Sequence, residues 1–223
     1  MPNFAAGVVQ FQKDVFPQKK ELFEQLSKGQ APDVLFITCA DSRITPSLIT
    51  QTEPGDLLVC RNAGNIVPTY SSPTGGMSAT VEFAAAAVKV DHIVICGHSD
   101  CGAMKGAMNI DGLDEMPHLQ EWLGHAIPAL NQVDAENTGL DDKTRLEALM
   151  RQNVILQLEN LKTHPSVATR LAKGDIELHG WIYDIGSGGI QAYDEATQQF
   201  TPVEDYYAEV LARQAMEDAH HHD

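Results

Sequence analysis

Basic residues are scarce in this chain: 15 Lys and Arg stand against 31 Asp and Glu, for a formal net charge of −16. Affinity for nucleic acid comes from cations that neutralise phosphates, so nucleic acid is excluded as a partner, and an anionic membrane surface is repelled as well. Cysteine is scarce too. Four residues, at 39, 60, 96 and 101, are too few for a secreted disulfide framework. There is no Cys-x-x-Cys pair of the thiol-redox kind. No apolar run is long: the richest, Val81 to Val88, carries Glu82 and falls far short of the ~20 residues that span a bilayer. The start of the chain lacks a basic segment followed by an unbroken apolar stretch, so no targeting signal is expected and the expected address is cytoplasmic. Neither Gly97, Gly102 and Gly106 nor Gly186, Gly188 and Gly189 form G-x-G-x-x-G after a first strand, and no Walker lysine follows, which argues against a nucleotide loop. Repeats and low-complexity tracts are absent, so collagen, coiled coil and wholesale disorder are excluded.

What remains is 223 residues with 43% hydrophobic content, enough for one sizeable core and one domain over 1–223. Residues 1–28 read as an N-terminal helical arm. Phe4, Val8, Phe11, Val15, Leu22 and Leu26 recur at roughly helical spacing, with Pro17 as a break. The arm precedes the first strand, so its apolar face needs a surface in the same chain or in a partner. Three short runs follow, Val34–Ile37, Leu57–Cys60 and Ile93–Cys96, each apolar on both alternating positions as strands covered on both faces are. The Gly75–Lys89 stretch between the second and third has helical character. A fourth strand fits Glu177–Asp184, then a turn at 186–189, then antiparallel edge strands at 190–193 and 199–203. The expected fold is therefore α/β, with a mostly parallel central sheet of about four strands plus antiparallel edges, flanked by helices. Residues 109–150 hold nine acids against Lys143 and Arg145, and read as an acidic helical insertion with a loop near Asn137-Thr138-Gly139. Leu146, Leu149, Met150, Val154, Leu158 and Leu161 form one helical stripe after it. Residues 206–223 are an acidic tail, and its His220-His221-His222 reads as a tag remnant or disordered end rather than a metal site.

Chemistry concentrates in two clusters. Cys39-Ala40-Asp41-Ser42-Arg43 directly follows the first strand, and Gly97-His98-Ser99-Asp100-Cys101-Gly102 directly follows the third, about 55 residues later. In an open α/β sheet, ligands collect at the carboxyl ends of strands. Thiolate and imidazole suit Zn²⁺, and Cys39, His98 and Cys101 make a Cys₂His set whose fourth position is open to water or to Asp41. Three ligands and one exchangeable position describe a catalytic zinc, which acidifies its bound water. A carboxylate held by a guanidinium stays ionised and oriented. Held by Arg43, Asp41 orients a zinc-bound hydroxide; released, it swings onto zinc and shuts the site.

The other candidates read more blandly. Cys60 and Cys96 lie inside strands and are expected to be inert. His92 opens a strand and is expected at the surface, and His118, His125 and His164 are expected to be solvated. His179 alternates with Trp181 and is expected to be a satisfied core histidine. Asp100 reads equally as a loop cap or as a proton relay.

The CADSR and GHSDCG clusters, Arg61-Asn62-Ala63-Gly64-Asn65-Ile66-Val67-Pro68, Gly75-Gly76 ahead of Glu82-Phe83-Ala84, and His179-Gly180-Trp181-Ile182-Tyr183-Asp184 together resemble the bacterial branch of the β-class carbonic anhydrases. The resemblance covers roughly residues 3–205. It implies a zinc lyase for reversible hydration of CO₂ to bicarbonate, with Cys39, His98 and Cys101 as ligands and Asp41 with Arg43 as the catalytic dyad. It implies Gln30 and Gly102 at the substrate pocket, and Leu58, Ala63 and Phe83 on its apolar wall, less bulky than in many members. It implies a homodimer as the minimal unit, extending to a tetramer or larger, with N-terminal helices embracing the partner. One subgroup binds bicarbonate at a second, inhibitory site through a Trp and an Arg. Here Phe36 stands at the Trp position although Arg61 matches, so that regulation is expected to be absent or weakened.

Two other readings share these residues. One is hydrolysis of CS₂ or COS on the same scaffold. The other is a non-catalytic protein whose zinc senses anions, against which an intact Asp41–Arg43 pair argues.

Overall fold

Val, Leu, Phe and Ile fill Val34–Ile37 of Val34–Cys39 (β1), which is buried from Leu35 onward, and Ile and Val fill Ile93–Ile95 of His92–His98 (β3). Such a strand needs cover on both faces; both lie inside a six-stranded sheet, with a core cluster packed on each side. The computed structural model describes residues 4–71 and 75–212. The remaining strands are Leu57–Asn62 (β2), Glu177–Tyr183 (β4), Ile190–Asp194 (β5) and Gln199–Pro202 (β6), in the order β2-β1-β3-β4-β5-β6. The first four pair in parallel, and β5 and β6 return antiparallel as expected. One expectation fails in part. β2 is an edge strand, with Val59 43% exposed, so its apolar run is not covered on both faces.

The helices are Phe4–Gln10 (α1), Lys20–Leu26 (α2), Pro46–Thr50 (α3), Gly76–Glu82 (α4), Gly102–Met108 (α5), Pro117–Leu123 (α6), Ile127–Glu136 (α7), Asp142–Lys162 (α8), Pro165–Leu171 (α9) and Val203–Tyr206 (α10). α8 is the main cover of one sheet face. It begins where the Asp141 carboxylate accepts the Thr144 N–H at 2.7 Å, closing the helix start after the loop at 137–141. Its stripe of Leu146, Leu149, Val154, Leu158 and Leu161 meets Leu35, Ile37, Ile93 and Ile95 in one core cluster. The helix lies close because Gly97 and Gly180 face it without side chains. A methyl at Gly97 would meet Val154 Cγ2 at 2.9 Å, and one at Gly180 would meet Leu158 Cδ1 at 2.8 Å. On the other face a smaller cluster gathers Phe36, Val94 and Cys96 with Trp181 and Tyr183.

The arm is helical but not simply broken at Pro17. A wide-turn segment, Phe11–Val15, gives way to a tight one, Phe16–Lys19, so the proline changes the winding without ending it. Phe11, Phe16 and Phe23 pack ring against ring, yet among the described residues of the arm none is buried. Phe4 is 84% exposed. His164 departs from the solvated reading. It is buried, and its Nε2–H donates to the Pro68 carbonyl at 3.0 Å. His118 and His125 are exposed as expected. The terminal histidines 220–222 lie outside the described residues. Among those residues no helix is long and apolar enough to cross a membrane.

Candidate metal centre

Strand order reverses between β1 and β3: the chain leaves β1 for β2 on one side and returns to β3 on the other. Loops diverge at such a point and open a crevice at the carboxyl ends. Cys39 is the last residue of β1 and His98 the last of β3, so the sheet delivers both to that crevice. Cys101 stands at the N-cap of α5, three residues on. The ligand atoms of Cys39, His98 and Cys101 all lie within 4.8 Å of one another, and the three residues are buried.

The donor set fits Zn²⁺ on three grounds. First, the two sulfurs are 4.0 Å apart, close to the ~3.8 Å that tetrahedral bonds of about 2.3 Å require. Second, His98 Nε2 is fully buried and without a hydrogen-bond partner, an arrangement that costs free energy unless something binds there. His98 Nδ1 lies 2.9 Å from the Ser99 carbonyl, which only accepts, so Nδ1 carries the proton and Nε2 presents its lone pair. Third, the sulfurs titrate as a pair. The hydrogen bond from the Cys101 thiol, above all, pulls Cys39 below the ordinary thiol range, while that same bond and burial push Cys101 well above it. Two thiolates stand together there only with a cation between them. Cys60 and Cys96 are different. Burial pushes both up, Cys96 to about 12, so neither is a ligand or a nucleophile near neutral pH.

Asp41 lies beside this set, its Oδ2 4.0 Å from His98 Nε2. Arg43 grips it with three donors: the main-chain N–H at 2.9 Å, Nε at 2.9 Å and Nη2 at 2.8 Å. That grip holds the Asp41 carboxyl well below the usual carboxylate range. Arg43 is in turn held by Asp100, through Nη1 to Oδ2 at 3.1 Å, and Asp100 takes a further ion pair from Lys105. Asp100 thus braces the arginine, a third role beside the two read from sequence. Arg61 donates to the Cys39 and Asp41 carbonyls, fixing the main chain of the first cluster.

Of the pocket residues, Ala63 and Gly102 adjoin the ligands: Gly64, next to Ala63, points its N–H at Cys39 Sγ from 3.4 Å, and Gly102 follows Cys101. Gln30 lies four residues before the start of β1, whereas Cys39 ends that strand, ~16 Å from its first residue. Leu58 pairs with Leu35, four residues short of the Cys39 level, and Phe83 is 47% exposed.

Three residues absent from the sequence reading organise the site from behind. Asn153, Gln157 and Asn160 are buried on α8. Asn153 Nδ2 donates to the Gly64 carbonyl at 3.0 Å, Gln157 Oε1 accepts the Val67 N–H at 2.8 Å, and Asn160 Nδ2 donates to the Val67 carbonyl at 2.8 Å. They hold the segment that carries the Gly64 N–H. Their signal is visible in retrospect: amides at i, i+4 and i+7 share one helix face, amid a stripe otherwise apolar.

The carbonic anhydrase family model matches residues 34–190. The chain belongs to the β-carbonic anhydrase family. It is 48% identical over 206 residues to the carbonic anhydrase of Pseudomonas aeruginosa, covering 92% of this chain and 93% of that protein. It is 50% identical over 203 residues to carbonic anhydrase 1 of Escherichia coli O157:H7, covering 91% and 92%. Among solved structures, the β-carbonic anhydrase CcaA superposes with a TM-score of 0.87 at 42% identity, covering 89% of this chain and 90% of that one. The tetrameric β-carbonic anhydrases of Sordaria macrospora give a TM-score of 0.65 at 35% identity, over 85% and 91%. Family membership agrees with the mixed sheet and with a Cys-His-Cys group able to hold a metal.

Proposed function

We propose that this chain, as one domain, catalyses the reversible reaction of CO₂ with water to give bicarbonate and a proton, in the cytoplasm. Convergence of three buried donors beside an arginine-clamped carboxylate is the observation that carries the reading. Cys39, His98 and Cys101 hold the Zn²⁺, with Ser99 fixing the histidine tautomer. Zn²⁺, when bound, supplies the Lewis acidity that makes water a nucleophile near neutral pH. Asp41, ionised and without a proton to give, accepts a hydrogen bond from the attacking water and so aims its lone pair at the carbon. Arg43 fixes the direction of that acceptor, and Asp100 keeps Arg43 from swinging away. With both Asp41 oxygens engaged by Arg43, the geometry favours the arrangement in which Asp41 orients water over the one in which it ligates the metal. Ala63 and Gly102 contribute to the apolar surface that receives neutral CO₂.

A homodimer completes this pocket, with Gln30, Leu58 and Phe83 entering from across the interface. Support comes from the arm, where Phe4, Val8, Val9, Phe11, Val15 and Phe16 are all exposed on one chain. An apolar surface of that extent marks an association site. Assembly beyond the dimer is consistent with the tetrameric Sordaria proteins.

Stopped-flow CO₂ hydration from about pH 6.5 to 9, with zinc counted per chain, tests the reading. A rate that rises with pH at one catalytic zinc per chain is expected. Zinc without hydration at any pH overturns it and moves the assignment to CS₂ or COS hydrolysis, or to anion binding.

A further inference from the structure

The sheet carries a second group of metal-ligating side chains at its opposite end. His92 opens β3 and pairs in register with Glu177, the first residue of β4, while His179 lies two residues further along β4. Residues two apart on a strand share a face, so His92, Glu177 and His179 project together. His92 Nδ1 lies 3.1 Å from His179 Nε2, and Glu177 Oε2 lies 3.8 Å from each nitrogen. His98 ends the strand that His92 begins, which puts this group ~20 Å from the Cys39–His98–Cys101 set.

We infer that His92, His179 and Glu177 form a second binding site for a divalent ion of the Zn²⁺ class. Two imidazoles and a carboxylate are the donor chemistry that such ions select. Ligands at about 2.0–2.2 Å from zinc sit ~3.3 Å apart in tetrahedral geometry, near the spacing seen here. The longer legs belong to Glu177, a flexible and exposed side chain that closes them by rotation about its own bonds. His179 is oriented from behind: its Nδ1 lies 2.9 Å from the Tyr207 hydroxyl, leaving Nε2 to face His92. Such an outer partner is what a ligating histidine requires. The way in is open, because His92 and Glu177 stand on the wall of a surface cleft of about 810 Å³. A bound ion ties the starts of β3 and β4 together and takes no part in CO₂ hydration.

Zn²⁺ stoichiometry tests this. The terminal His220, His221 and His222 are first replaced by Ala so that they contribute no ligand. The full chain, loaded at its catalytic site, is dialysed against micromolar free Zn²⁺ and its zinc is counted per chain. Two ions per chain are expected, falling to one in His92→Asn, with CO₂ hydration unchanged as the check on folding. Tyr207→Phe keeps the three ligands and is expected to weaken the second ion about 10- to 100-fold. One ion per chain in the parent overturns the inference. So does a second ion that survives both His92→Asn and Glu177→Gln, exposed positions whose replacement does not threaten the fold.

Discussion

Replacing Asp41 with Asn changes one atom and isolates the carboxylate. The native group accepts three N–H bonds from Arg43 and leaves an oxygen 4.0 Å from His98 Nε2. Asn keeps one oxygen, which the Arg43 main-chain N–H and Nε both seek. Its amide nitrogen then confronts Nη2, donor against donor, and the clamp loses a charge-assisted hydrogen bond of about 1.5–3 kcal/mol. Arg43 turns towards Asp100, which already holds Nη1. The orienting acceptor beside the metal position becomes a donor or drifts. Removing one preorganised polar group of this kind costs about 10²- to 10³-fold in rate, or ~2.7–4 kcal/mol. Stopped-flow hydration should record that loss in kcat with zinc content unchanged, because none of the three ligands has been touched. The pH profile constrains the reasoning further. Asp41 has its pKa depressed in the folded chain, so the stability it contributes is present above the unfolded value near 3.9 and is lost only as pH falls through the lower folded value. Asp41 therefore stays ionised over the whole working range, and a rise of rate between about pH 6.5 and 9 is not its titration. An Asp41→Asn enzyme within about threefold of the parent, at equal zinc, refutes the orienting role.

Other consequences are independent of that one. Gly180→Ala forces a methyl against Leu158 and Val154, and should destabilise by about 1–3 kcal/mol, lowering Tm by ~2–12 °C in calorimetry. Gly102→Ala, whose methyl meets nothing within 4 Å in one chain, should leave Tm nearly unchanged while altering hydration. Chelation should leave Cys39, drawn below the ordinary thiol range, open to a thiol reagent at pH 7. Cys96, fully buried and raised to about 12, should stay unreactive until unfolding. Bicarbonate should inhibit only as product: the Phe36 ring is buried edge-on against Trp181 and has no N–H to offer, and Arg61 already serves two main-chain carbonyls. Inhibition beyond product competition in initial-rate kinetics contradicts that. Phe4→Asp with Phe11→Asp should shift the chain towards monomer in light scattering and lower its hydration rate, since pocket residues then lose their partner.

The parallel strands were legible because a strand covered on both faces must be apolar on both, and β1 and β3 are. Cys39 and His98 stood out because metal-ligating residues close apolar strands there, at the carboxyl ends where ligands collect. β2 misled for a physical reason: its apolar run resembles that of a central strand, and the cover it lacks in one chain is not a property of its own sequence. His164 misled because a buried histidine satisfied by one main-chain carbonyl, that of Pro68, leaves no local pattern. The amides of α8 act across some 90 residues of chain, on Gly64 and Val67, and only the tertiary fold reveals that reach. The pairing of His92 with Glu177 and His179 is likewise a matter of strand register rather than of sequence proximity.

The central claim is that Cys39, His98 and Cys101 hold the metal on which hydration depends. Zinc add-back after chelation tests it most directly. CO₂ hydration should vanish with the metal and return in proportion to added Zn²⁺, reaching its full rate at one catalytic equivalent per chain, while further zinc adds no rate. Full hydration by the zinc-free chain, or none at any zinc loading, would contradict the account.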